Sequence, residues 1–344
     1  MQALLNTLYV TTSGSYLHLD NDTVRVEVER ETRLRVPLHH LGSVVCMGDS
    51  LVSPALLAHC ANNGISVCFL DRNGRFQARL EGAVNGNVLL RVSQYQHAQT
   101  EPGALTIARN MVAGKIRNSR HVLMRAARDS HNDDDKRQLV AAAKHLAASL
   151  RALPQIQTLD SLRGVEGEAA QTYFGHFTRM IRPDFRSEFA LNGRNRRPPQ
   201  DPVNALLSFV YTLLTHDCRS ATETVGLDPQ VGFLHALRPG RPALALDLAE
   251  EFRAILADRL VLSLINRGQI GKQDFTPREG GAVWLKDDAR KAVLTAWQQR
   301  KQEEITHTLL DTRMPIGLLP QVQARLLARH LRGDLPGYLP YVAK

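Results

Sequence analysis

Hydrophobic and polar positions follow two different periods along this chain, and the first is the period of β-strands. Over residues 23–29 the sequence TVRVEVE places Val24, Val26 and Val28 on one face of a strand and charged residues on the other. This alternation is typical of a half-buried antiparallel strand. Short apolar runs between turn residues predict further strands at residues 4–10, 16–19, 34–36, 44–46, 65–70 and 76–80.

A short helix interrupts these strands, and further along the chain the helical period takes over. Ser53 precedes Pro54 and an Ala-Leu-Leu-Ala run, a pattern typical of a helix N-terminus. Leu105, Val112 and Ile116 then lie at helical spacing, and after a polar run the spacing resumes, which predicts a helical hairpin. The second arm of this hairpin and the later helices are predicted at residues 139–150, 165–180, 203–216, 248–266, 287–306 and 318–332.

The two periods together predict an α+β multidomain fold. We expect an N-terminal antiparallel β domain over residues 1–85, a linker over 86–100 and a mostly α-helical domain over 101–344. No apolar run approaches the roughly 18 residues that span a bilayer. The N-terminus also lacks the basic segment of a signal peptide. We therefore expect no membrane association and a cytoplasmic location.

Charge divides the chain at nearly the same place as hydrophobicity. The sequence has 43 Lys and Arg against 34 Asp and Glu, a net charge of +9. Residues 1–90 contribute 7 Arg, no Lys and 8 acidic residues, a net of −1, so the remainder carries +10. A basic surplus confined to one part of a chain indicates a polyanionic partner, most often nucleic acid, with solubility as the alternative explanation. The four cysteines form no C-x-x-C pair, which excludes the common zinc-ribbon and thioredoxin sites.

Within the basic region, the segment RGVEGEAAQTYF carries a carboxylate beside a glycine. Gly167 adds no side chain next to Glu166, so a metal or a phosphate could approach that carboxylate closely. Alternatively, Glu166 and Glu168 only complement the helix dipole in the first turn of a helix.

Two later segments carry an imidazole and a pair of carboxylates. His235, in VGFLHALRPGRP, is either a ligand or a structural histidine. Asp247 and Glu250, in LALDLAEEFR, lie three residues apart and so on one helix face, although Asp247 could be only the N-cap of that helix. If these groups converge, two carboxylates and one imidazole would suit a divalent cation such as Mg²⁺ or Mn²⁺.

An arginine-rich stretch separates the first of these segments from the others. Residues 179–197 hold six arginines against Asp184 and Glu188. Guanidinium groups bind phosphate bidentately, so this stretch is a candidate phosphate-binding site, with a solvated loop as the alternative.

The order of these motifs resembles one family in particular. RGVEGEAAQTYF is followed by NGRNRRPPQDPVNALLSFVY and then by GLDPQVGFLHALRPGRPALALDLAEEFR. In this order the sequence closely resembles the CRISPR-associated spacer-acquisition integrase, the universal first protein of the adaptation module, and its details resemble the type I-C branch. The resemblance covers nearly the whole chain, and the motifs are specific in combination although each is weak alone.

The resemblance implies roles for individual residues. Glu166 matches the family's Glu-Gly metal ligand, His235 its metal-binding histidine and Glu250 its final acidic ligand. Asp247 matches the acidic residue just before the last. Many relatives have a Tyr-Asp pair and a final Asp where this chain has Leu246 and Glu250, so either Asp247 or Glu250 is the third ligand. The candidates for contacts to the DNA backbone are Arg194, Arg196, Arg197, Arg238 and Arg241.

The family's reaction is a metal-dependent transesterification. The 3′-hydroxyl of a captured double-stranded DNA fragment attacks a phosphodiester at the edge of the CRISPR repeat, and hydrolysis at the same site gives an endonuclease. The resemblance further implies Mg²⁺ or Mn²⁺ as the cofactor, a homodimer formed through the N-terminal β domain and a small ferredoxin-like adaptation protein that bridges two dimers. A RecB-like iron–sulfur nuclease is a further candidate partner in this branch.

Two other functions also fit the composition. A repair nuclease for branched DNA would share the metal site but would need no CRISPR partner, and a repeat array with a small partner gene beside this one would argue against it. A catalytically silent DNA-binding scaffold would not need the set Glu166, His235 and Glu250.

Overall fold

The computed structural model describes residues 6–71, 76–82, 88–191, 193–195 and 198–344. The chain forms two compact units. The first consists of residues 1–86 with 294–303 and 316–318, and the second consists of the rest. The first unit is rich in strands and the second is mostly helical, so the predicted α+β class is confirmed. The boundary predicted between residues 85 and 86 lies outside the described residues.

Two four-stranded sheets dominate the first unit. Their strand orders are β1-β5-β7-β8 and β4-β3-β2-β6. The alternation over residues 23–29 is confirmed, since Val24 and Val26 are buried and pack in one apolar core with Leu17 and Cys46. The strands are β1 (Thr7–Val10), β2 (Ser15–Asp20), β3 (Thr23–Val28), β4 (Glu31–Pro37), β5 (Ser43–Met47), β6 (Ser50–Val52), β7 (Ser66–Leu70) and β8 (Phe76–Arg79).

Strand pairing in these sheets is mixed and not wholly antiparallel as predicted. β3 pairs antiparallel with β2 and β4, whereas β1 with β5, β5 with β7, and β2 with β6 are parallel pairs. Parallel neighbours need a crossover connection. Helix α1 (Pro54–Asn62) lies in such a connection, between β5 and β7 along the chain. It begins as predicted, with Ser53 Oγ accepting a hydrogen bond from Leu56 N at 3.2 Å.

The helices of the remaining chain follow the predicted periodicity, except that the helix predicted over residues 287–306 ends at Gln302 and residues 304–307 form a strand. The predicted hairpin is confirmed as the pair α3 and α4, and Asn132 caps α4 by accepting a hydrogen bond from Asp135 N at 2.9 Å. Among the described residues, no helix has both the length and the apolar character needed to cross a membrane. These helices are α2 (Val88–Gln99), α3 (Glu101–Asp129), α4 (Asp133–Ala152), α5 (Leu159–Gly175), α6 (Pro202–Thr224), α7 (Ala243–Phe252), α8 (Arg259–Asn266), α9 (Asp287–Gln302) and α10 (Leu319–Leu331).

Helix α2 replaces most of the linker predicted over residues 86–100. Gln94 in this helix is fully buried, and its Nε2 donates hydrogen bonds to the carbonyl oxygens of Asp228 and Val231 at 2.8 and 2.7 Å. The turn-forming composition that predicted a linker ends at Asn87, and the apolar side chains after it, such as buried Leu90, belong to the helical unit. Residues 88–99 are therefore part of that unit's fold.

Helix α7 continues without a break into a π-helical turn, Arg253–Asp258, and then into α8. A π turn has about one more residue per turn than an α-helix, so residues five apart, such as Arg253 and Asp258, lie on one side of it.

Four short strands between residues 275 and 315 were not predicted from the sequence, because each has only three or four residues. They form two antiparallel pairs, β9 (Phe275–Pro277) with β10 (Val283–Leu285) and β11 (Glu304–His307) with β12 (Thr312–Pro315).

Candidate metal centre

Asp247 is fully buried on α7, and three consecutive backbone N–H groups donate to its carboxylate. Phe233 N and Leu234 N lie 2.6 and 2.9 Å from Oδ2, and His235 N lies 3.0 Å from Oδ1. A glycine permits this close approach, because a Cβ on Gly232 would stand 2.5 Å from Asp247 Oδ2. The carboxylate therefore fixes the loop before His235 onto α7.

The same carboxylate orients the imidazole of His235. Nδ1 lies 2.6 Å from Asp247 Oδ1, so we assign the ring proton to Nδ1 and the free lone pair to Nε2. The alternative that Asp247 is only an N-cap is wrong. Helix α7 begins at Ala243 after Pro242, so Asp247 lies beyond the first turn, where the helix's own N–H groups no longer need a cap.

Glu250 lies one turn beyond Asp247, is almost fully buried and is neutralised by cations. Its Oε1 lies 2.5 Å from Arg253 Nη1 and 3.9 Å from His235 Nε2. Its Oε2 lies 2.7 Å from Lys115 Nζ. Burial opposes ionisation of Glu250, but the positive charges of Arg253 and Lys115 outweigh this effect and lower its pKa to about 2.

Glu166 comes to this centre from α5, and the link is the ammonium of Lys115. Lys115 Nζ contacts Glu166 Oε1 as well as the carboxylate on α7. Helix α5 begins at Leu159, seven residues before Glu166, so the interpretation of Glu166 as a first-turn carboxylate is wrong. Glu168 pairs elsewhere, with His145 Nε2 at 3.0 Å.

The donor set has the chemistry of a site for a hard divalent cation. It combines two carboxylates with an imidazole whose other nitrogen is held by a carboxylate, an arrangement common around metal-binding histidines. Across the described parts of the chain, however, no three His, Cys, Asp or Glu side chains are grouped as a ready metal cluster. Between Glu166 and Glu250, the Lys115 ammonium contacts both carboxylates.

Side chains from α6 and the π turn complete the wall of a small cavity, about 60 Å³ in volume, beside these groups. The Arg253 guanidinium lies over the ring of Tyr211, 4.9 Å from its centre. The Tyr211 hydroxyl donates a hydrogen bond to Asp258 Oδ1 at 2.6 Å. Burial raises the pKa of Asp258 to about 6, because the tyrosine hydroxyl and the nearby arginines offset the loss of hydration only in part.

The arginines predicted to contact DNA have different environments. Arg194 is half-buried, and its guanidinium lies 5.6 and 5.2 Å from the ring centres of Phe174 and Tyr211, two aromatic residues that line the cavity. In the loop after His235, Arg238 is exposed and Arg241 is half-buried. Arg196 and Arg197 lie outside the described residues.

Two residues of the centre escaped the sequence analysis. Arg253 follows Glu250 by three residues, and this spacing on a helix could have revealed the ion pair. Lys115 had no such local signal, because its partner Glu166 is 51 residues away along the chain.

A basic pocket on α3 was also not predicted. Its volume is about 490 Å³, and basic residues form much of its lining. The arginines recur at helical spacing on an exposed face, a pattern that is present in the sequence. The basic residues of the pocket are Arg117, Arg120, His121, Arg128 and Lys344.

Comparison with known sequences agrees with the family suggested by the motifs. The family model for CRISPR associated protein Cas1 matches residues 8–299. The chain is 53% identical over 342 residues to the CRISPR-associated endonuclease Cas1 1 of Moorella thermoacetica, covering 99% of each protein. It is 37% identical over 339 residues to a CRISPR-associated exonuclease Cas4/endonuclease Cas1 fusion of Geobacter sulfurreducens, covering 98% of this chain and 60% of the fusion.

Solved structures show the same fold at lower sequence identity. A casposase bound to its integration product aligns with a TM-score of 0.83 at 21% identity, covering 97% of this chain and 92% of the casposase. A Cas6-RT-Cas1–Cas2 complex also aligns with a TM-score of 0.83, at 23% identity, covering 98% of this chain and 36% of the matched one. The motifs, the fold and the extent of the sequence matches lead to one conclusion: this chain belongs to the family of CRISPR-associated Cas1 endonucleases.

Proposed function

We propose that this chain is the integrase of CRISPR adaptation, which inserts captured DNA fragments into the repeat array as new spacers. The observation that carries the proposal is the way Asp247 holds His235 beside Glu250 at a centre that also includes Glu166. In the reaction, the 3′-oxygen of the fragment forms a bond to phosphorus at the repeat edge. The bond from phosphorus to the leaving oxygen of the repeat strand breaks, the attacking hydroxyl gives its proton to solvent, and the leaving oxygen takes a proton from solvent.

In this proposal Glu166, His235 Nε2 and Glu250 would hold Mg²⁺ or Mn²⁺. When bound, the metal would polarise the attacked phosphate and stabilise the leaving oxygen. Asp247 is a positioning residue and not the third ligand, because both its oxygens already accept hydrogen bonds. It keeps His235 in the tautomer whose Nε2 can act as a ligand.

Water in place of the 3′-hydroxyl would make the same centre an endonuclease. A repair nuclease for branched DNA would use the same ligands but would hydrolyse without joining a fragment to a repeat, so the products of the reaction separate the two functions. The motifs resemble the type I-C branch, and we include that branch in the proposal. The neighbouring genes test the CRISPR function, because a repair nuclease would need no repeat array beside its gene.

We place the DNA on basic surfaces of the helical unit, where phosphate contacts would position it without reading its sequence. Arg238 and Arg241 lie in the loop that follows His235. Arg117, Arg120 and Arg128 line the basic pocket on α3. The charge of +10 over residues 91–344 predicts that affinity for DNA falls steeply with salt.

We further propose a homodimer formed through the N-terminal unit. Tyr16 and Leu51 are register partners on neighbouring strands and remain 40% and 70% exposed, so they form an apolar surface that a second copy could cover.

A small ferredoxin-like adaptation protein would bridge two dimers, and the presence of Cas2 in the structurally similar complex supports this. The Cas4 fusion relative supports a RecB-like nuclease as a further partner. Because CRISPR arrays are chromosomal in prokaryotes, the proposed compartment is the cytoplasm.

An integration assay tests this function. The purified chain, its small partner and a repeat-bearing plasmid are incubated with a labelled DNA fragment that ends in either a 3′-hydroxyl or a 3′-phosphate, with Mg²⁺, Mn²⁺ or a chelator. We expect the label to join the repeat edge only with the 3′-hydroxyl fragment and a divalent metal. Cleavage without joining would favour the repair nuclease, and DNA binding without either product would favour the scaffold.

A further inference from the structure

Lys115 is the feature of the metal centre that the proposed function does not use. It lies on α3, and its side chain is only 12% exposed. Its ammonium contacts Glu166 Oε1 and lies 2.7 Å from Glu250 Oε2, so one cation joins two carboxylates that come from different helices. An ammonium between two carboxylates has the charge and the location expected of a ligand-bound cation.

The charges around this position leave little place for a second cation. Glu166 and Glu250 supply two negative charges, and Lys115 and Arg253 already supply two positive charges within ion-pair distance. A divalent ion added to this set would lie beside two cations in a largely buried environment, where like charges repel strongly. Binding of a metal therefore requires one of the two cations to move away.

The two cations differ in how firmly they are held. The Arg253 guanidinium is stacked 4.9 Å from the centre of the Tyr211 ring and belongs to the same helical segment as Glu250. The Lys115 ammonium is a point charge at the end of a flexible four-carbon stem, and no aromatic ring is stacked on it among the described contacts. Lys115 is the cation that can leave.

We propose that Lys115 is an internal competitor of the metal. In the metal-free protein its ammonium holds Glu166 and Glu250 together, and a divalent cation must displace it to reach the same two carboxylates. This inference rests on the proposed metal site. Its consequence is that the wild-type chain binds its metal more weakly than its donor set alone would allow, so that Lys115 sets the metal concentration at which the centre becomes loaded.

Replacement of the ammonium by an uncharged chain of similar length tests this idea. Lys115→Met should tighten binding of Mn²⁺ at least tenfold, measured by calorimetry or by the spin-resonance signal of free Mn²⁺. The metal-free variant should melt at a lower temperature than wild type, because two facing carboxylates lose their counter-ion, and Mn²⁺ should restore the transition. Lys115→Arg keeps the charge and should not tighten binding. The matched control is Lys144→Met, an exposed position on α4 with the same change in net charge.

The binding results separate failure of this inference from failure of the proposed function. Equal Mn²⁺ affinity in wild type, Lys115→Met and Lys144→Met would overturn the competition while leaving the metal site in place. Absence of Mn²⁺ binding in wild type and in Lys115→Met would overturn both. Weaker binding in Lys115→Met would mean that Lys115 organises the ligands and does not compete with the metal.

A measurement on the wild-type chain avoids any folding defect of the variants. Reductive methylation followed by peptide mass spectrometry reports how accessible each lysine ammonium is. We expect Mn²⁺ to increase methylation of Lys115 severalfold and to leave Lys144 unchanged in the same sample. Equal methylation of Lys115 with and without Mn²⁺ would contradict its displacement.

Discussion

The two units of this chain bury polar side chains in opposite ways. In the described strands of the first unit, the buried polar residues are Ser15 and Ser43, and the core around them is apolar. Among its described residues, the second unit buries five carboxylates, of which four lie within residues 247–258. Burial of a charge costs free energy unless it is paired, so a protein keeps such groups in its core for a reason other than stability. The comparison therefore favours residues 247–258 as one part of the proposed metal centre.

The four carboxylates of this segment are satisfied by different kinds of partner. Asp247 accepts backbone N–H groups and an imidazole, Glu251 accepts donors from the C-terminal tail, and Asp258 accepts a tyrosine hydroxyl. Glu250 is paired mainly with cations. Backbone and hydroxyl donors are fixed by the fold, whereas a cation can be exchanged for another cation. This difference distinguishes Glu250, the proposed ligand, from its three neighbours.

The C-terminal tail donates hydrogen bonds to the buried carboxylate of Glu251. The Tyr338 hydroxyl donates to Glu251 Oε1, and Tyr341 N and Gln323 Nε2 donate to Oε2 at 2.9 and 3.1 Å. Burial nevertheless raises the pKa of Glu251 to about 7. The tail is thus tied to the residue next to Glu250, which supports the position of α7.

The largest expected effect is loss of activity on substitution of His235. His235→Ala should reduce integration by about a thousandfold or more, because the proposed metal centre loses one of its three ligands. Its side chain is 19% exposed, and the three backbone donors to Asp247 remain, so the fold should persist. Gel-resolved integration beside a melting curve checks both points. Retained integration would remove His235 from the site, and a lost melting transition would favour a structural histidine.

A substitution in the core of the first unit should lower stability and leave metal binding unchanged, the opposite of the result expected for His235→Ala. Leu17→Ala, at a fully buried position of β2, should lower the free energy of unfolding by about 3 kcal/mol through the cavity it leaves. The affinity for Mn²⁺, measured where the variant is folded, should be unchanged. Denaturant titration and calorimetry test this pair of results. A loss of metal affinity without loss of stability would break the division between the two units.

The free-energy cost of burying the Asp258 carboxylate should appear as a pH dependence of stability. Its pKa is raised from 3.8 to about 6 in the folded chain, so its contribution to stability is present below about pH 4 and is lost as the pH rises through about 6. Asp258→Asn cannot ionise and should gain about 3 kcal/mol relative to wild type between pH 4 and pH 8. Denaturant titrations of both proteins at several pH values measure the difference. A difference that does not vary with pH would mean that Asp258 keeps one protonation state throughout.

Asp247 should affect the metal through His235 and not as a ligand. Asp247→Asn keeps an acceptor oxygen but weakens its hold on Nδ1, so Mn²⁺ affinity should fall by about 10- to 100-fold and activity should remain measurable. Asp247→Ala should also destabilise the fold by about 3 kcal/mol, more than the loss of a simple cap, because buried N–H groups lose their acceptor. Calorimetry and denaturant titration give both values. Complete loss of metal binding in Asp247→Asn would indicate a direct ligand.

The sequence predicted elements whose signal is local. The alternation over residues 23–29, the cap at Ser53 and the long amphipathic stretches of α3 and α4 depend on neighbours along the chain, and all three are present in the structure. The π turn after Phe252 and the parallel strand pairs depend on contacts between distant residues. No local spacing encodes those contacts, so they were not predicted.

The same limit applies to the candidate site. Sequence motifs named Glu166, His235 and Glu250, and the structure places Glu250 beside His235 and within reach of the ammonium that contacts Glu166. They could not name Lys115, which is 51 residues from Glu166. They also assigned Asp247 to a helix start, because the periodicity did not show that α7 begins at Ala243.

The smallest expected effect concerns Gly167, where stability and activity should change in opposite directions. A Cβ at Gly167 would meet nothing within 4 Å, and Ala is a better helix former than Gly, so Gly167→Ala should raise the free energy of unfolding by about 0.5–1 kcal/mol. Gly167 is about 100° from Glu166 around the helix axis, whereas Gly164 is about 160° away. If a DNA backbone passes beside Glu166, the added methyl group at Gly167 should reduce integration severalfold. Gly164→Ala, which also meets nothing within 4 Å, should give the same gain in stability without that loss. Equal integration by the two variants would mean that DNA does not need the space left by the missing side chain at Gly167.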